Sequence, residues 1–129
     1  MALERKQYPG IAPAGPTYSR AVKAGNLLFI SGCTARGTDS QGKSMMEQLD
    51  VTLGRLVAVA AEEGAGPGAF AKLTCFVTSM KEYQKDSQEQ QALFARHFQE
   101  QYPANSLIEI SALAEPGLDV EIEAIVVLE

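Results

Sequence analysis

Two carboxylates in the run Leu118-Asp119-Val120-Glu121-Ile122-Glu123-Ala124-Ile125-Val126-Val127 are the residues whose type and spacing most readily do chemistry. Side chains alternate along a strand, so Glu121 and Glu123 share one face while Val120, Ile122 and Ala124 take the other. Carboxylates are poor strand formers, and a pair inside a β-branched strand either faces water or serves a site. In the second case apolar surroundings disfavour the charged form and bring Glu121 towards the working range of a general base. Other candidates are fewer. Cys33 needs a base or cation beside it to act as a nucleophile, and its sequence neighbours offer neither, so it reads as a small hydrophobe, as does mid-strand Cys75. The single histidine, His97, cannot build a metal site alone and reads as surface or helix packing.

The rest of the chain must position these groups. With 129 residues, 46% of them hydrophobic, it suits one domain over residues 1–129 and has no room for a second. A net charge of −5 and a pI of about 4.9 argue against nucleic acid and anionic membrane as partners, since both recruit clustered Lys and Arg. The start Met1-Ala2-Leu3-Glu4-Arg5-Lys6 has no apolar signal core, and no apolar run reaches the roughly 18 to 20 residues of a membrane helix. The expected location is therefore the cytoplasm, where Cys33 and Cys75 stay thiols.

Residues 1–16 hold three of the six prolines and two glycines and are expected to run as an extended arm. Residues 18–23 and 27–33 read as strands joined at Gly25-Asn26. After a polar loop, Ser44-Met45-Met46-Glu47 has the spacing of a capping box, and Met46, Leu49, Leu53, Leu56, Val57 and Ala60 form an inward stripe ending at Gly64. A strand over 69–80 follows, then a helix from about Asp86 to the stop at Tyr102-Pro103. Two closing strands, over 102–110 and 118–127, are expected to meet across a short loop. The order predicts an α+β fold of two layers, a mixed sheet with two helices on one face. The other face keeps apolar positions, which predicts self-association.

Four short segments, Gly15-Pro16-Thr17-Tyr18-Ser19-Arg20-Ala21-Val22, Gly25-Asn26-Leu27-Leu28-Phe29-Ile30-Ser31-Gly32, Tyr102-Pro103-Ala104-Asn105-Ser106-Leu107-Ile108-Glu109-Ile110 and the C-terminal run, occur in the order of the RidA/YjgF family of small enamine/imine deaminases, which the chain resembles. The resemblance implies a chorismate-mutase-like RidA fold and a homotrimer with sites in clefts between subunits. It also implies hydrolysis of small-molecule enamines or imines to a keto acid and ammonia, with no metal or cofactor. Glu121 matches the family's acidic residue that contacts the attacking water or the ligand, and Glu123 completes a Glu-Ile-Glu-Ala pattern in a structural role. Tyr18 matches a pocket tyrosine after Gly-Pro, with Thr17 as an extra residue, and Ser31 and Gly32 match a pair lining the cleft. Asn105 stands where the family has an Arg that anchors the substrate carboxylate, with Ser106 beside it as a possible donor. Leu107 stands for a usual Cys and Cys33 for a usual Gln. These departures point to a substrate unlike the family's usual imino acids. The alternative is a small-ligand-binding or interaction protein that kept the fold without the catalysis. An RNA-cleaving role fits an acidic chain with one isolated histidine poorly.

Overall fold

Gly25, at a φ of +62°, turns the chain between β2 (Ala21–Ala24) and β3 (Leu27–Cys33) and sets Ala24 opposite Leu27. That is the hairpin expected from Gly25-Asn26, with the first strand beginning three residues later than the composition suggested. The computed structural model describes residues 2–129, and Met1, the first residue of the expected arm, lies outside the described residues. The arm is not simply extended. Leu3–Lys6 forms β1 and pairs antiparallel with β2, and the chain then turns so that Tyr8 and Ala12 are buried. The Tyr8 hydroxyl donates to Glu63 at 2.7 Å, which ties this segment to the end of the long helix.

That helix, α1 (Met45–Glu62), starts as the capping spacing requires: the Ser44 hydroxyl accepts from the Glu47 N–H at 3.2 Å. The second half of the expected box differs, since the Glu47 carboxylate accepts from the Ser44 hydroxyl at 3.1 Å instead of from a backbone N–H. The helix ends in a Schellman motif. Gly64 sits at a φ of +80°, the Ala65 N–H bonds to the Ala60 carbonyl and the Gly64 N–H to the Ala61 carbonyl. Met46, Leu49, Leu53, Leu56 and Ala60 are buried as expected, Val57 is only half-buried, and Gln48, Thr52 and Val59 join the buried face. Gln48 is fully buried because its amide donates to the Lys43 and Gly117 carbonyls, each at 3.0 Å, and accepts from the Asp119 N–H at 2.8 Å.

After a short 3-10 turn, β4 (Phe70–Val77) leads into α2 (Met80–Lys85), α3 (Ser87–Phe98) and β5 (Ala104–Glu109), which lies parallel to β4. Among the described residues there are thus three α-helices where two were expected. The extra one is capped by the Ser79 hydroxyl, which accepts from the Glu82 N–H at 3.1 Å. Asp86 does precede α3, without a side-chain cap bond, and α3 stops at Phe98 because Gln99 and Glu100 adopt positive φ.

The two closing strands do not meet. β6 (Val120–Val127) inserts between β3 and β4, so the mixed six-stranded sheet runs β1-β2-β3-β6-β4-β5 and β4 separates β5 from β6. Val120, Ile122, Ala124 and Val126 are all buried, and a central position satisfies both edges of so apolar a strand. The helices cover one sheet face, as expected of an α+β two-layer fold. On the uncovered side and edges Phe29, Ile108 and Val127 are each 42% exposed. Among the described residues no helix is long and apolar enough to cross a membrane.

Candidate functional site

A bulge builds the centre of the site. Ile30 of β3 faces Ala124 of β6 and Cys33 faces Ile122, so β3 carries one extra residue across Ser31 and Gly32. The bulge brings Gly32 under the Glu121 side chain, so closely that a Cβ at position 32 would lie 2.6 Å from the Glu121 carboxyl carbon. Glycine is needed here for close approach. The Glu121 carboxylate is half-buried and has no hydrogen-bond partner among the described residues. Burial raises its pKa above the ordinary glutamate value, nearby Glu123 adds to the rise, and Arg20 opposes it.

Glu121 shares a small cavity of about 40 Å³ with Tyr18, Arg20, Gly32, Cys33 and Arg55. Tyr18 is 42% exposed, and the Arg20 guanidinium lies 5.5 Å from the centre of its ring. Arg20 is 3% exposed and donates to the carbonyls of Ala12, Pro13, Ser31 and Gly32, stapling the N-terminal segment to the bulge. It also reaches Cys33 Sγ at 3.3 Å. Burial nevertheless pushes the Cys33 thiol up, outweighing Arg20 and Arg55, so this sulfur is a poor nucleophile.

The other residues singled out in the sequence lie elsewhere in the chain. The Ser31 hydroxyl donates to the Ser19 carbonyl at 2.6 Å and lines a hollow of about 280 Å³ on the uncovered sheet face, together with Phe29, Lys72 and Glu123. Asn105 occupies the helix side of β5, where its side-chain oxygen accepts from Cys75 Sγ at 3.3 Å. It helps line a larger groove of about 430 Å³ with Tyr83, Gln90, Phe94, Tyr102 and Leu107. Burial pushes the Cys75 thiol up to about 12 despite that bond. Ser106 points to the opposite side and accepts from Lys72 Nζ at 2.9 Å. His97 pairs with Asp50 across α1 and α3, at 2.7 Å. The chain therefore assembles Tyr18, Gly32, Cys33 and Glu121, and keeps Asn105 and Ser106 apart from them. The larger groove is the roomier concavity, but it lacks Glu121 and every cation.

Sequence reasoning passed over Arg20, Arg36 and Arg55. A charged residue between Ser19 and Ala21 at the head of an apolar strand, and another between Gly54 and Leu56 in an inward stripe, were the available signals.

A family profile described as endoribonuclease L-PSP matches residues 10–128. A RutC family protein of Sinorhizobium fredii is 32% identical over 118 residues, 88% of this chain and 88% of that protein. The mitochondrial protein MMF1 of Saccharomyces cerevisiae is 29% identical over 118 residues, 89% of this chain and 77% of that protein. The crystal structure of yeast Mmf1 superposes with a TM-score of 0.85, covering 99% of this chain and all of that one. A 2-iminobutanoate/2-iminopropanoate deaminase of Dermatophagoides farinae is 27% identical over 120 residues, 91% of this chain and 89% of that protein.

Proposed function

Because the chain belongs to the RidA/YjgF family, whose profile carries the endoribonuclease L-PSP description, we propose that it is a hydrolytic deaminase of a small enamine, imine or related C–N compound. The observation that carries this reading is the Glu121 carboxylate: half-buried, without a hydrogen-bond partner among the described residues, raised in pKa and held over a glycine bulge. Such a group suits a general base. The imine reacts protonated on nitrogen: Glu121 takes a proton from water as the oxygen attacks the C=N carbon, giving a neutral carbinolamine. That proton passes to the amino nitrogen, the C–N bond breaks as the carbinolamine hydroxyl gives its proton to the departing ammonia, and a carbonyl compound and ammonium leave with Glu121 ionised again. An enamine enters this sequence after tautomerising to the imine. No metal or cofactor is required.

We further infer that the working unit is a homotrimer, in which the uncovered sheet faces pack together and the β5 groove of one copy borders the Glu121 cavity of the next. Exposed Phe29 and Val127 on the uncovered side support such burial, and the position of Asn105 on edge strand β5, away from Glu121 within one chain, supports a cleft completed by a second copy. An RNA-cleaving reading draws less support, since the only histidine is engaged with Asp50 and does not line the cavity. The test is to generate an imino acid in solution with an amino-acid oxidase and follow ammonia and keto-acid release. The protein should accelerate both in equal amounts. Saturable binding without acceleration would favour the alternative, a ligand-binding protein on the same fold.

A further inference from the structure

Three guanidinium groups, of Arg20, Arg36 and Arg55, line the cavity beside Glu121. Their surroundings differ. Arg20 spends its donors on backbone carbonyls, and Arg36 donates to the Pro13 carbonyl at 2.8 Å and lies 3.8 Å from the Glu115 carboxylate. Arg55, half-buried on α1, makes a single hydrogen bond among the described residues, from Nη1 to the Thr34 carbonyl at 2.8 Å. Its Nε and Nη2 are left over. Those two nitrogens form one edge of the guanidinium, the edge that grips a carboxylate with two parallel hydrogen bonds. The cations also outnumber the carboxylates near them, three against Glu121 in the cavity wall and Glu115 outside it beside Arg36, and burial together with Arg20 and Arg36 works against the charge on Arg55. Crowded like charges in a partly desolvated pocket are unfavourable until an anion completes the set. The cavity, of about 40 Å³, has room for a group of carboxylate size.

We propose that this cavity is a carboxylate-binding subsite, in which Arg55 grips the substrate's acid group through Nε and Nη2 while Arg20 and Arg36 supply the surrounding positive field. The inference rests on Glu121 working on that same substrate, and it requires that substrate to carry an acid group, against the expectation that Asn105 leaves the chain without an anchor. It also moves the anchoring charge to α1. Position 105, where the family resemblance implies an anchor, offers a neutral amide that already accepts from Cys75.

The experiment is a nuclear magnetic resonance titration of the intact protein with sodium acetate at constant ionic strength, with acetamide as the neutral counterpart. Acetate should shift the Arg55 Nε and Gly32 amide resonances saturably, and acetamide should not. Arg55→Gln should weaken acetate binding at least tenfold, and Arg55→Lys, which keeps the charge and loses the fork, should fall between. Melting curves establish that each variant is folded, and the wild-type Arg55 shift needs no variant at all. Acetate shifts that never saturate, or that saturate equally in Arg55→Gln, overturn the subsite. Arg55-dependent acetate binding without imine hydrolysis upholds the subsite and overturns the hydrolase reading. Hydrolysis without Arg55-dependent acetate binding does the reverse.

Discussion

Replacing Gly32 by alanine is the sharpest perturbation of the site, because it displaces Glu121 without changing that residue. The added Cβ would lie 2.6 Å from the Glu121 carboxyl carbon and 2.7 Å from Oε2, whereas ordinary contact begins at 3.4 Å. The carboxylate must therefore retreat by about 0.8 Å or rotate away. The fold should tolerate this. Gly32 is not in the left-handed region, and the atoms it displaces are the flexible end of a side chain, so stability should stay within about 1 kcal/mol of wild type. Catalysis should not tolerate it, since a misplacement of about 1 Å costs on the order of 10²-fold in rate, about 2.7 kcal/mol of barrier. The assay is keto-acid release from an imine generated in solution, run for Gly32→Ala, Glu121→Gln and the double variant. Gly32→Ala should lose about 10²-fold in kcat, and should cost almost nothing further once Glu121 is Gln. An unchanged kcat in a folded Gly32→Ala, or losses that multiply fully in the double variant, would refute the assigned role of the bulge.

Other outcomes follow from the same geometry. The acid limb of kcat/KM should lie above the ordinary carboxylate range, because burial and then Glu123 raise the Glu121 pKa, and Glu123→Gln should move that limb to lower pH while leaving the plateau unchanged. A folded pKa above the unfolded one means that Glu121 contributes stability at low pH and loses it as pH rises through the raised value. Calorimetry at neutral pH should accordingly find Glu121→Gln melting no lower than wild type. Gln48→Leu removes the buried amide that holds Lys43, Gly117 and Asp119. It should cost about 2 to 4 kcal/mol and lower Tm by about 10 °C in a thermal melt. Light scattering at micromolar concentration should give three times the 13.8 kDa chain mass, and a monodisperse monomer would remove the shared cleft.

What the sequence disclosed was governed by how local the signal is. The Gly25 turn, the Ser44 cap and Gly64 stop of α1, and the alternation through Val120 to Val127 each act within a few residues, and each appears as expected. The strand Leu3–Lys6 was hidden because an edge strand built of Leu, Glu, Arg and Lys pairs through its backbone, with partners some twenty residues away such as Ala24. The separation of β5 from β6 is likewise a tertiary outcome: β4 pairs with both, one on each edge, and the more apolar β6 takes the interior position beside β3 while β5 forms the sheet edge. At the site, Glu121 and Gly32 were legible, but the bulge joining them depends on cross-strand register. Arg20, Arg36 and Arg55 lie on three different segments, so nothing in their spacing foretold one cavity.

The most direct test of the central claim compares wild type with Glu121→Gln on an imino acid formed in solution, with semicarbazide trapping whatever imine remains. Wild type should clear the imine faster than water alone and release equal amounts of keto acid and ammonia. Glu121→Gln should remain folded and in the same oligomeric state, with kcat lower by roughly 10²- to 10⁴-fold. If Glu121→Gln turns over as fast as wild type, or if wild type leaves the trapped imine undiminished, Glu121 is not the base of a hydrolase.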